Sequence, residues 1–197
     1  MLPERVTSHP VLLRLFTAAD APRVQLIAAD ARVAETTASI PHPYPEGAAA
    51  AWIATHDGDR QRGTQYTYAI ATADGETLVG AIALRPIGDE HENIGYWIGR
   101  TYWGRGYATA ATMALTALAF GYLDCEALAA SYLQRNVASA RVLEKCGYTV
   151  LRSGRREHRG KVEAFCVRGI TRDAWELQIG GAPGAGLPAE DTAADRS

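Results

Sequence analysis

The chain has 197 residues, 47% of them hydrophobic, which is enough for one well-buried core and too few for two ordinary domains. A formal charge of −2, with Lys and Arg spread along the chain, lacks the basic footprint of a nucleic-acid or anionic-membrane binder and points to small molecules or a polypeptide as partners. No run approaches the ~18 apolar residues of a spanning helix, and "VLLRLF" is interrupted by Arg14 and lacks a cleavage-site pattern, so a cytoplasmic protein is expected.

Taken in order, Leu12 to Phe16 reads as a first strand, and "TAADAPRVQLIAADARVA" as a helix with Thr17 or Asp20 as N-cap and Pro22 in its first turn. The three prolines of "SIPHPYPEG" forbid regular helix, after which an Ala-rich stretch carrying Trp52 and Ile53 starts a second helix. Two alternating segments, Tyr66/Tyr68/Ile70 and Leu78/Gly80/Ile82/Leu84, meet around Asp74-Gly75, a dipeptide suited to a tight hairpin. "NIGYWIG" alternates Ile94, Tyr96 and Ile98 against Gly95 and Trp97, a strand expected to be buried on both faces.

From Gly106 onward, Ala108, Ala111, Leu115, Leu118, Ala119 and Tyr122 recur at three- and four-residue steps, the stripe of a helix lying on a sheet. "EALAASYL" reads as a strand, "NVASARVLEKC" as a helix between an Asn136 N-cap and a Gly147 stop, and "YTVLRSG" and "VEAFCVRGI" as closing strands. Residues 1–179 thus form one domain, and 180–197, rich in Gly, Ala and Pro, form a tail unable to bury enough surface to order itself. Cys125, Cys146 and Cys166 are odd in number and without metal-ligand spacing, so three reduced, buried thiols and no metal are expected.

The stretch "YWIGRTYWGRGYATAATMALTAL" places a strand, a glycine-rich turn and a helix N-terminus at one point, where unpaired backbone N–H groups and the helix dipole favour an anion. Gly104 and Gly106 carry no side chain to block an approaching pyrophosphate, Ala108 keeps the backbone approachable, and Arg105 adds a cation. Gly99 to Gly106 lacks the Lys and hydroxyl of a P-loop. A dinucleotide fingerprint would need glycine where Thr109 stands, so an oxidoreductase rests on Gly104, Gly106 and Asp124 alone.

With "NIGYWIG", "YWGRGYATAA" and "NVASARVLEKCGY" in that order, the chain resembles the GNAT superfamily of acyl-CoA-dependent N-acyltransferases from about Leu12 to Ile170. Within it the chain is similar to the bacterial branch that acetylates ribosomal-protein N-termini. The resemblance implies a three-layer α+β fold, with helices flanking a central mixed, largely antiparallel sheet of about seven strands. It implies acetyl-CoA as acyl-donor co-substrate and no metal. It also implies a donor site built from Trp97, Ile98, Trp103, Gly104, Arg105, Gly106, Tyr107, Ala108, Thr109, Asn136 and Ser139. Trp103 stands where the family usually has Gln or Arg.

By the same resemblance, two neighbouring strands splay and the pantetheine arm pairs in the gap like an added strand, with the N–H near Ile98 on the thioester carbonyl. Many relatives use as acid a tyrosine at the position of Leu143, which leaves Ser139 or an ordered water to protonate the leaving thiolate. Glu92, Glu157 and His158 are candidates for the base, and His42 and Tyr44 belong to the loop that in relatives covers the acceptor. The acceptor is a protein N-terminal amine or a small amine such as a polyamine, amino acid or antibiotic. A non-catalytic acyl-CoA-binding module and a homodimer both stay open.

Overall fold

The computed structural model describes residues 2–85, 94–180 and the backbone of 189–190. Its strands are β1 (Arg5–Ser8), β2 (Val11–Arg14), β3 (Tyr66–Thr72), β4 (Leu78–Leu84), β5 (Ile94–Ile98), β6 (Ala127–Leu133), β7 (Thr149–His158), β8 (Lys161–Thr171) and β9 (Ala189–Glu190). They form one sheet in the order β7-β8-β6-β5-β4-β3-β2-β1-β9. Every pairing is antiparallel except β5 with β6. This is the mixed, largely antiparallel sheet expected, with the short strands β1 and β9 added at one end to the seven read from the sequence. Of the tail segment 180–197, the described residues are Gly180 and the pair that forms β9.

The first predicted helix is in fact broken. Thr17 opens a single 3₁₀ turn, where Asp20 accepts from the Thr17 N–H (2.8 Å) and forms a two-pronged ion pair with Arg14 at 2.8 Å for each prong. Then come α1 (Ala21–Ala28) and α2 (Ala31–Glu35), the latter capped by Asp30 accepting from the Arg32 N–H. Burial by itself would raise the Asp20 carboxyl, but the Arg14 guanidinium and the Thr17 amide and hydroxyl together outweigh it and hold the carboxyl below its usual range. The Ala-rich stretch likewise divides into α3 (Ala48–Ala54) and α4 (His56–Arg62).

The β3–β4 hairpin is looser than the Asp74-Gly75 dipeptide suggests. Thr72 and Thr77 close a five-residue connection, and the left-handed residue is Glu76, at φ 51°. Both strands are buried almost throughout because helices cover the sheet on both sides.

On one face lie α5 (Tyr107–Tyr122) and α6 (Val137–Lys145). Ala111, Ala114, Leu115, Leu118 and Ala119 of α5 are buried in the same cluster as Val6, Leu13, Ile82 and Ile98. α6 starts on Asn136, whose Oδ1 accepts from the Ser139 N–H at 3.1 Å, and ends at Gly147 in the left-handed region (φ 82°). The opposite face carries α1–α4, with Val24, Ala49, Trp52 and Trp97 packed together. A last helix, α7 (Arg172–Gln178), which is not among the elements read from the sequence, is capped by Thr171 and buries Trp175.

Cys146 and Cys166 are buried free thiols, whereas Cys125 is only half-buried; burial pushes the Cys146 thiol up to about 12. His56 lies buried against Phe16 and Trp52, with ring centroids 5.2 and 4.5 Å away, and neither ring nitrogen has a hydrogen-bond partner. Burial therefore lowers its pKa. In the unfolded chain a histidine takes up a proton near pH 6.5, so on acidification through that value the unfolded state binds more protons and folding weakens. His56→Phe, which keeps the ring packing, is expected to flatten the fall in melting temperature between about pH 6.5 and 5, read by thermal scans across that range.

Candidate active site

β5 and β6 run parallel and pair only at Ile94↔Ala130, after which they diverge. The Gly99 N–H donates to the Val79 carbonyl at 2.8 Å, and the register continues as Ala81↔Trp97. Antiparallel alternation therefore turns the N–H and C=O of Tyr96 and Ile98 away from β4 and into the gap. The splayed edge expected from the resemblance is present, and the backbone of Tyr96 and Ile98 faces it. One group on it has a partner: the Trp103 indole N–H donates to the Ile98 carbonyl at 2.6 Å.

Beyond β5, Arg100–Tyr102 makes one 3₁₀ turn and the chain swings through Gly104 (φ 78°) and Gly106 (φ 80°) into α5. A Cβ added at either glycine would meet nothing within 4 Å, so the space beside the backbone is open. The left-handed conformation, which costs other residues about 1–2 kcal/mol, aims the first amides of α5 outward. No acidic side chain occupies that first turn. Arg105 sits over the Tyr102 ring at 5.7 Å, and the guanidinium of Arg100 sits over the Trp103 ring at 4.9 Å. The donor set is thus backbone N–H plus cation, which fits a diphosphate.

A cavity of about 650 Å³ runs from this cradle through the β5–β6 gap. On the α5–α6 face it is lined by Tyr96, Ile98, Tyr107, Ala108, Thr109, Asn136 and Ser139, and by Arg141 and Lys145 one turn apart on α6. On the opposite face it is lined by Thr36–Ser39, Trp52, Gln65, Thr67, Arg85, Trp97, Ser131, Arg156 and His158. Strand alternation explains the split: Tyr96 and Ile98 point one way, Gly95 and Trp97 the other. The cavity also explains why β5 departs from the expected burial on both faces, since Gly95 is exposed and Tyr96 and Trp97 are half-buried.

The candidate acid and bases fall unevenly around this channel. Ser139 lines it, its Oγ 2.8 Å from the Tyr96 hydroxyl. Burial raises the Tyr96 phenol well above its ordinary value, so it stays protonated. His158 is 7% exposed, lines the far chamber, and its Nε2 has no hydrogen-bond partner. Burial lowers its pKa, which leaves a neutral imidazole at pH 7.

Glu157 does not share this position. It alternates to the other side of β7, is exposed, and does not line the cavity. Glu92 lies outside the described residues. His42 is exposed, and neither it nor Tyr44 lines the cavity. Tyr44 instead packs against the clusters around Val24 and Val33, where burial raises its phenol pKa. The chamber wall comes from Thr36–Ser39, earlier in the same connection.

Sequence reading missed Tyr96, Arg141, Lys145, Trp52 and Arg156. Only the four-residue spacing of the two α6 cations, one turn beyond Asn136, was a signal that could have been used. Among the described residues no group of three His, Cys, Asp or Glu could hold a metal, and no helix is long and apolar enough to cross a membrane.

Residues 11–149 match the family model of the acetyltransferase (GNAT) domain, and the chain belongs to that family. The Bacillus subtilis (strain 168) protein described as "Probable N-acetyltransferase YjcK" is 31% identical over 107 residues; the match covers 48% of this chain and 59% of that one. RimL, a ribosomal L7/L12 α-N-protein acetyltransferase solved with coenzyme A, superposes with TM-score 0.77 at 16% identity over 87% of this chain and 99% of its own. The ribosomal-protein-S5-alanine acetyltransferase of Vibrio fischeri gives 0.73 at 17% identity over 87% and 98%.

Proposed function

We propose that the protein transfers an acetyl group from acetyl-CoA to a primary amine, and that the amine is the N-terminus of a polypeptide. The observation that carries this reading is the channel through the sheet. It joins the glycine-rich turn before α5 on one face to a chamber on the other that is lined by His158, whose buried Nε2 has no hydrogen-bond partner. The ribosomal-protein acetyltransferases among the similar folds support the acceptor class.

In this reading the amides at Gly104–Thr109 and Arg105 hold the diphosphate, and the freed Tyr96 and Ile98 backbone pairs with the pantetheine arm. The amine reaches the thioester carbon from the His158 side, and the Ile98 N–H receives the charge growing on the carbonyl oxygen. An α-amine with a pKa of about 8 is neutral in about a tenth of molecules at pH 7, far more than a lysine with a pKa of about 10.4, and once the neutral amine is bound His158 accepts the proton released as the N–C bond forms. When the C–S bond breaks, Ser139 delivers a proton to sulfur.

The test is acetyl transfer to N-terminal peptides, lysine peptides, polyamines and aminoglycosides, read by mass spectrometry with CoA release in parallel. Transfer to N-terminal peptides alone is expected. Transfer to the small amines alone would replace the acceptor class, and CoA binding without any transfer would leave a donor-binding module.

His158→Ala is expected to lower kcat/KM by about 10²-fold at neutral pH. Because burial lowers the His158 pKa, the wild-type rate should hold down to below about pH 6.5 before falling, and the variant should lose that acid limb. An unchanged pH profile would remove His158 from the mechanism.

A further inference from the structure

Leu143, at the position where the resemblance implies a tyrosine acid in many relatives, is fully buried in the core. A phenol does line the channel from another element. Tyr96 projects from the splayed edge of β5 toward α6, its hydroxyl 2.8 Å from Ser139 Oγ and 3.4 Å from the Ser139 carbonyl oxygen. Both side chains line the channel.

The backbone restricts what each hydroxyl does. The Ser139 N–H is already committed to Asn136 Oδ1, which fixes the first turn of α6 and with it the position of Oγ. The Tyr96 hydroxyl has two acceptors within reach, both on Ser139, and has one proton to give. The shorter contact is to Oγ. If Tyr96 donates there, the serine's own proton cannot point back at the phenol and must turn elsewhere. The open direction is the channel.

We propose that Tyr96 is a positioning residue for the acid step: its O–H donates to Ser139 Oγ and turns the serine O–H toward the sulfur of the leaving group. This rests on the reading of Ser139 as the acid. The C–S bond breaks with its electron pair on sulfur and the Ser139 proton moves to sulfur, while the Tyr96 O–H stays hydrogen-bonded to the Oγ left behind. Water then returns a proton to Oγ, balancing the proton that His158 takes from the amine and releases to water.

The serine–tyrosine pair therefore acts as one unit, and its two members should not contribute independently. The experiment is a double-mutant cycle on the full chain with Ser139→Ala, Tyr96→Phe and the double variant. It reads kcat, KM for acetyl-CoA, CoA affinity by calorimetry and the melting temperature. Tyr96→Phe is expected to lower kcat about tenfold with CoA affinity unchanged within about twofold, and to add nothing in the Ser139→Ala background.

A wild-type kcat for Tyr96→Phe would overturn the proposal, as would a double variant whose loss is the product of the single losses, or a loss carried by CoA affinity. Should Tyr96→Phe melt well below the wild type, Tyr96→Met is measured in its place under the same criteria. A slow Ser139→Ala variant beside a normal Tyr96→Phe variant would sink this inference alone. Wild-type turnover by Ser139→Ala would instead sink the acid reading on which it stands.

Discussion

Gly106→Glu is expected to weaken CoA binding by at least about 100-fold, measured by calorimetry. Two effects combine. At φ 80° any other residue is strained by about 1–2 kcal/mol. The larger effect falls on the ligand: a Cβ added at Gly106 meets nothing within 4 Å, so the glutamate side chain starts out into the open space that the diphosphate must approach. Gly106→Ala separates the two, because it carries the strain without the charge. Its melting temperature should fall by about 2–8 °C, with only a modest loss of affinity. If Gly106→Glu binds CoA as well as the wild type, the cradle is not the diphosphate site.

The largest effect on stability is expected at Gly80, within β4. A methyl group there would stand 2.2 Å from the Trp97 carbonyl oxygen and 2.9 Å from Ile98 Cδ1. The first of these is backbone locked in the β4–β5 ladder, so it cannot swing aside as a side chain would. Gly80→Ala should destabilise the protein by about 2–4 kcal/mol in urea unfolding. It should also weaken CoA binding, because β5 must move and with it the Tyr96 and Ile98 groups that edge the gap. Gly95→Ala is the contrast: its added methyl meets nothing within 4 Å, and stability should be unchanged or slightly higher. Equal losses at the two positions would show that close packing at Gly80 does not hold the strands together.

How much of this was legible in the sequence follows from the range of the forces involved. The cradle was readable because its determinants are local: two glycines and a helix start within a few residues. Asn136 and Gly147 were readable as helix ends for the same reason. The 3₁₀ turn before α1 was not, because Asp20 is held there by Arg14 from β2, and the α1–α2 break at Asp30 was not, because a period of 3.6 continues across it.

Tyr96 read only as an apolar position of an alternating strand. Its meaning appears once α6 is folded back over the gap, 43 residues away in sequence. Glu157 and His158 were equal candidates until the β7 register assigned them opposite sides. Tyr44 lost its proposed place to Thr36–Ser39 because its ring is drawn into the core around Val24 and Val33, a choice made by packing rather than by any motif.

The far chamber's wall, Thr36–Ser39, is bracketed by cations from the other end of the chain. Arg159 donates to the carbonyls of Ala34 (2.9 Å) and Ile40, and Arg135 donates to that of Glu35 (3.0 Å) while paired with Glu163 at 2.6 Å. A connection fastened at both ends has little configurational freedom left to surrender when a guest arrives. Its shape is set by folding, so selection among amines becomes a matter of fit to a ready-made mould. Such a wall should reject a bulky second residue behind the amine outright, where a floppy one would slow gradually with size.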